Sequence, residues 1–171
     1  MASSESFKVL IADKIASEGI DLVRTVADVD VVLNRSEDEL CKIIANYDAL
    51  IVRSATQVSD VVIDAGKRLK VIGRAGTGVD NIDLNAATEQ GIVVVNAPQG
   101  NTIAAAEHTV ALMLSLARHI PQADKSLKEG NWDRTNFVGA ELRGRTLGLI
   151  GFGPVGAAVA RRAMGLEMTV L

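Results

Sequence analysis

The residues with the clearest chemical spacing are Gly151, Gly153 and Gly156, a G-x-G-x-x-G run at the carboxyl end of the apolar stretch Thr146–Ile150. Leu147, Leu149 and Ile150 read as a buried parallel strand and residues 155–164 as the helix that follows it. Glycine at the first position permits a tight turn, at the second lets the backbone approach a pyrophosphate, and at the third lets the helix pack on the strand. The free amides opening the helix then accept negative charge without a cation. Many glycine-rich turns share this spacing; the strand before it and the helix after it are what point to a dinucleotide. The loop Gly151, Gly153, Pro154, Val155, Gly156 is therefore the candidate cofactor-binding element.

Acid–base and metal chemistry find less support. His108 stands beside Glu107 in a helical stretch, but adjacent helical positions diverge by about 100°, which is poor geometry for a base and its orienter. His108 is expected to be buried or at a domain junction. His119 reads as a partner for a helix C-terminus. No spacing of His, Cys, Asp or Glu matches a zinc or magnesium site, and the single cysteine, Cys41, reads as a small buried hydrophobe.

These groups need elements to position them. The 171 residues are 48% hydrophobic and 23% charged, with a net charge of -3, which excludes disorder and gives no support to nucleic acid as a partner. One cysteine fits a reducing compartment, MASSESF is too polar for a signal peptide, and no apolar run is long enough for a membrane span. A cytoplasmic protein is expected.

Strands are read at 8–12, 29–33, 48–52, 71–74 and 92–96, with helices at 16–26, 37–45, 58–66 and up to about Glu89. Residues 1–7 read as a ragged terminus. Ser36 and Glu39 form a capping box, Asp80 and Asn81 are read as caps of the helix after them, and Gly91 ends that helix. This alternation is a doubly wound α/β unit over residues 1–98. Residues 99–143 then hold a long helix over 101–120, apolar on more than one face and so suited to a domain junction or a partner. Pro121 is expected to interrupt it, with a polar helix over 122–129 and an irregular segment anchored by Trp132 and Phe137. Residues 144–171 begin a second, Rossmann-type sheet that one strand, one helix and part of a further strand cannot close, so a longer chain is expected. At the carboxyl ends of strands three and four, where α/β sheets bind ligands, stand Arg53, Ser54 and Arg74. Arg53 is open to two readings, a ligand-holding side chain or a solvated strand-end arginine.

Three long motifs, VIGRAGTGVDNID at 71–83, VNAPQGNTIAAAEHT at 95–109 and the glycine loop, together with Trp132, Phe137, Gly139 and Glu141-Leu142, resemble the D-isomer-specific 2-hydroxyacid dehydrogenases. The resemblance runs from Phe7 to Leu171. It implies a flavodoxin-like substrate domain, an inserted NAD-binding domain, a homodimer in which the long helix takes part, and hydride transfer between C2 of a 2-hydroxy acid and NAD. It points to 3-phospho-D-glycerate as that acid, with the substrates of the family's glyoxylate/hydroxypyruvate reductases and D-lactate dehydrogenases as alternatives. The family's catalytic arginine, glutamate and histidine come later than position 171, so no catalytic residue is expected in this chain. On its own the chain is open to a second reading, a non-catalytic binding or dimerising module.

The resemblance also assigns roles. The backbone amides of Ala75 and Gly76 would meet the substrate carboxylate, and Thr77 would sit near the nicotinamide; a plain G-x-G turn is the alternative. Arg53, with Ser54, would help hold the substrate, where a phosphate suits its five donors. Asn101 is read as the N-cap of the long helix and a residue facing substrate, and Arg134 as a weaker phosphate candidate. The glycine loop departs from the family's GxGRIG at Pro154-Val155. Proline is well tolerated at a first helical position, but one charge contact and one amide are lost. The residue that would separate NAD from NADP lies outside the sequence.

Overall fold

The computed structural model describes residues 6–171, so the expected ragged terminus lies, over residues 1–5, outside the described residues. They form two compact units, one running up to Gly100 and one from Asn101 to Leu171.

The first unit is a five-stranded parallel sheet. Its strands are β1 (Lys8–Ile11), β2 (Asp28–Val31), β3 (Ala49–Val52), β4 (Val71–Arg74) and β5 (Val93–Asn96). Helices α1 (Ser17–Arg24), α2 (Glu37–Ile44), α3 (Asp60–Ala65) and α4 (Leu84–Glu89) connect them. The strand order β2-β1-β3-β4-β5 is the flavodoxin-like doubly wound one. Successive strand residues point to opposite faces, which sorts the core into two layers. Leu10, Leu50 and Ile72 pack with Leu40 and Ile44 of α2 and Ile63 of α3, while Val9, Ile11 and Ala49 meet Ile20 and Val23 of α1.

Local chemistry fixes the helix starts. Ser36 and Glu39 make the reciprocal capping box read from the sequence, worth about 1 kcal/mol. The cap of α4 differs from expectation. Asp83 accepts hydrogen bonds from the amides of Asn85 and Ala86, so it, rather than Asp80 or Asn81, ends the loop. The parallel bridge between Val58 and Ile82 holds residues 80 and 81 away from the helix start. Gly91 follows α4 at φ 69°, where a side chain would be strained.

The second unit carries α5 (Thr102–Ala117), α6 (Ile120–Lys128), β6 (Thr146–Leu147), α7 (Pro154–Gly165) and β7 (Thr169–Val170), with a 3-10 turn at Thr135–Phe137. β6 and β7 pair in parallel around α7, the opening βαβ of a Rossmann-type sheet. Ala106 and Val110 of α5 pack against Val155, Ala158 and Val159 of α7, and the small side chains allow close approach. Arg162 and Glu107 tie the two helices at 2.9 Å.

Five expectations change here. The break after α5 is made by His119, left-handed at φ 52°, and Pro121 instead sits in the first turn of α6, where its missing amide is harmless. His119 thus ends one helix and precedes the next. Trp132 does not bury itself: it is 75% exposed, on the rim of a cleft with Leu127 and Phe137. His108 is exposed on α5, so of its two expected places the buried one fails. The stretch 146–150 is not a buried strand, since the ladder stops at Leu149, whose amide donates to the Leu171 carbonyl, and Ile150 is fully exposed. Finally, Asn101 occupies the N-cap position of α5 but makes no side-chain capping bond.

Candidate functional site

β3 and β4 run side by side with Val52 opposite Arg74, so Arg53 and Arg74 leave neighbouring strands at the same sheet edge. The loop after β3 is clasped from below by Asp13, which follows β1. Its carboxylate accepts the amides of Arg53 at 2.6 Å and Thr56 at 3.2 Å, and the Thr56 hydroxyl at 2.7 Å. Burial works against this charge, but the Thr56 hydroxyl and the amides of Arg53, Thr56 and Ala55 outweigh it and hold the carboxyl below its ordinary value. Sequence reasoning missed Asp13; the signal was an acid placed directly after an apolar strand.

From the other side the loop meets Asn81, also buried. Its amide group donates to the carbonyls of Arg53 at 2.7 Å and Thr56 at 2.6 Å, and its Oδ1 accepts from Arg74 Nε at 3.3 Å. The Arg74 side chain is only 12% exposed, with Asp80 at 3.9 Å on its outer side. Arg53 is exposed, and its Nη1 donates to the Lys14 carbonyl. Arg53 and Ser54 line one wall of a cleft of about 310 Å³ that Lys14 and Asn34 also line.

The turn after β4 differs from expectation. Its amides are not bare: Ala75 donates to the Val52 carbonyl and Gly76 to the Arg74 carbonyl, each at 2.8 Å. Glycine is needed at position 76 for another reason, because a Cβ there would run into the Arg74 guanidinium. The Thr77 carbonyl accepts from Asn96 Nδ2 at 2.6 Å, which fastens the turn to β5. Arg53, Ser54, Arg74, Ala75, Gly76 and Thr77 thus gather in the first unit. Asn101, Arg134 and the glycine loop belong to the second.

A second carboxylate, Asp48, sits at the opposite end of the sheet. The Lys8 amide, opposed by burial and aided by Lys70 and Arg68, holds it below its ordinary value. A carboxyl depressed in the folded state contributes stability that is complete above its unfolded value, near 3.8, and is lost as pH falls through the lower folded value. Urea unfolding followed by circular dichroism should therefore show a steep loss of stability below about pH 4. Asp13→Asn and Asp48→Asn should be less stable near neutrality and lose less on acidification; an unchanged acid slope would contradict both assignments.

In the second unit, Gly151 turns at φ 96° and Gly153 is the N-cap of α7. A Cβ on Gly156 would stand 2.5 Å from the Gly151 carbonyl oxygen, so the helix rests on the loop as a dinucleotide cradle requires. A Cβ at Gly153 would meet no protein atom within 4 Å. Pro154 takes the first helical turn and removes one donor. The backbone of this loop fits a pyrophosphate, with one amide fewer than the family pattern. Cys41, at the margin of the core, has its thiol pushed up by burial and by Glu37 and Asp38, which suits packing rather than nucleophilic work.

A flavodoxin-like doubly wound sheet followed by the opening βαβ and glycine loop of a Rossmann-type sheet defines the class of fold. The chain belongs to the D-isomer-specific 2-hydroxyacid dehydrogenases, whose catalytic-domain pattern matches residues 9–168. It is 58% identical over 165 residues to D-3-phosphoglycerate dehydrogenase of Archaeoglobus fulgidus, covering 96% of this chain and 31% of that one. Among solved structures it is similar to the TT0316 protein of Thermus thermophilus, at a TM-score of 0.89 and 34% identity, covering 96% of this chain and 55% of the other. NAD+-bound 3-phosphoglycerate dehydrogenase of Entamoeba histolytica matches at 0.77 and 30%, covering 97% and 53%. The chain spans about three tenths of the length of the curated relatives it matches. No helix among the described residues is long and apolar enough to cross a membrane.

Proposed function

We propose that the full-length protein carrying this chain oxidises 3-phospho-D-glycerate to 3-phosphohydroxypyruvate with NAD, the first step of serine biosynthesis. The observation that carries this reading is the pair of arginines on neighbouring strands, one buried and one open, facing a sheet edge where α/β folds bind ligands. Arg74, fixed at Asn81, suits the carboxylate, because the Ala75 and Gly76 amides are spent within the chain. Arg53, with Ser54 beside it, suits the phosphate, and five donors on a planar fork match its oxygens. Asn101 and Arg134 are further contacts in this reading, and Thr77 lies toward the nicotinamide. Gly151, Gly153, Val155 and Gly156 would hold the NAD pyrophosphate on backbone atoms, with Pro154 shaping the turn. Bound NAD supplies the acceptor for the hydride that leaves C2. The hydroxyl proton goes to a histidine that, by family resemblance, lies beyond position 171 with its glutamate partner and a third arginine.

A homodimer belongs to the same reading. α5 buries only Ala106 and leaves Leu112 and Leu116, four positions apart on one face, exposed, an apolar strip suited to a second copy. We place the protein in the cytosol.

Steady-state kinetics of the full-length protein test the assignment. Turnover of 3-phosphoglycerate with NAD is expected, and Arg53→Ala should raise KM for that substrate about tenfold, equivalent to about 1.4 kcal/mol. An enzyme that ignores phosphoglycerate but reduces hydroxypyruvate or pyruvate with NADH would belong elsewhere in the family. If neither reaction occurs, the binding-module reading takes over.

A further inference from the structure

We propose that Asn81 is a positioning residue that couples the Arg53 loop to Arg74 and so sets the spacing of the two anion-holding arginines, a role that rests on the functional reading above. Asn81 is 4% exposed and spends every side-chain group on this task. Both amide hydrogens go to the ends of one loop, the carbonyls of Arg53 and Thr56. The oxygen goes to Arg74. Only one orientation of the amide satisfies these partners, since carbonyls need donors and a guanidinium needs an acceptor. The backbone of Asn81 is pinned as well, its carbonyl accepting the Val58 amide at 2.8 Å.

The loop is fixed in two directions at once. Asp13 accepts its amides from one side while Asn81 donates to its carbonyls from the other, so both ends of the loop, Arg53 and Thr56, are held at amide and carbonyl alike. The remaining tie to Arg74 is weaker, because Asp80 is exposed and stands 3.9 Å away. Asn81 therefore joins the two arginines through a single rigid plane. An aspartate of the same shape keeps an oxygen for Arg74, now charged, and turns a second oxygen on two carbonyls, which releases the Arg53 loop while Arg74 stays paired.

The experiment compares Asn81→Asp with Arg53→Ala in the full-length protein, using reduction of 3-phosphohydroxypyruvate and of unphosphorylated hydroxypyruvate. For Asn81→Asp, kcat/KM on the phosphorylated substrate should fall about tenfold further than that on hydroxypyruvate, the difference carried by KM. A merely structural asparagine would lower both alike. Equal losses on the two substrates, or none, with Arg53→Ala still selective, would overturn the positioning role and spare the functional reading. An unselective Arg53→Ala would sink the reading and the coupling with it. If Asn81→Asp does not accumulate folded, Asn81→Ser, whose short hydroxyl gives up the guanidinium as well as the loop, should lower both substrates but the phosphorylated one more, and equal losses would again overturn the role.

Discussion

Gly156→Ala is expected to cost the protein both stability and nearly all of its dinucleotide affinity. The added methyl would meet the Gly151 carbonyl oxygen at 2.5 Å and its carbon at 3.4 Å. Both are backbone atoms of a residue already held at φ 96°, so no side chain can swing aside. Either α7 lifts from the loop or the turn opens. Overpacking of this kind costs about 1–3 kcal/mol in stability. The larger effect falls on binding, because the same displacement moves the amides of the cradle. NAD affinity, measured by calorimetric titration of the full-length protein, should fall about 100-fold, equivalent to about 2.7 kcal/mol. An affinity within about twofold of wild type would show that the loop is not the pyrophosphate site.

Gly76→Ala should do the opposite, harming function while leaving the fold alone. Its methyl would press on the Arg74 guanidinium, meeting Cζ at 3.1 Å and Cδ at 3.6 Å. The obstacle is the far end of a side chain, and Gly76 needs no left-handed backbone. Thermal unfolding should therefore shift by less than about 1 kcal/mol. The guanidinium, however, would be forced off Asn81, and KM for the 2-hydroxy acid should rise about tenfold or more. A variant that loses stability but keeps KM would mean that Arg74 holds the fold and not the substrate.

Much of the scaffold was legible because its signals are local. Val71–Arg74 is a strand between loop residues, and Ser36 with Glu39 carries its capping box within four positions. The site itself was legible in residue types and not in bonds. VDNID offers three residues able to cap a helix, and the Val58–Ile82 bridge, a contact distant in sequence, decides that Asp83 is the one that does. Gly76 suggested bare amides at positions 75 and 76, yet the amide of Gly76 bonds within its own turn, and its missing side chain makes room for Arg74. Pro121 looked like a helix breaker, but the turn that separates α5 from α6 is the left-handed His119, which no propensity marks. Trp132 looked like an anchor because large aromatic residues usually find a pocket, whereas here it stands on a rim.

Pro154 carries a thermodynamic consequence. With φ set by its ring, the start of α7 has fewer conformations to lose, both on folding and when a ligand settles on the loop. The donor it lacks removes one favourable contact from the bound state. The two effects oppose each other in free energy but differ in kind. Relative to a non-proline residue at this position, dinucleotide binding should release less heat and forfeit less entropy, so that its affinity would decline more gently as temperature rises.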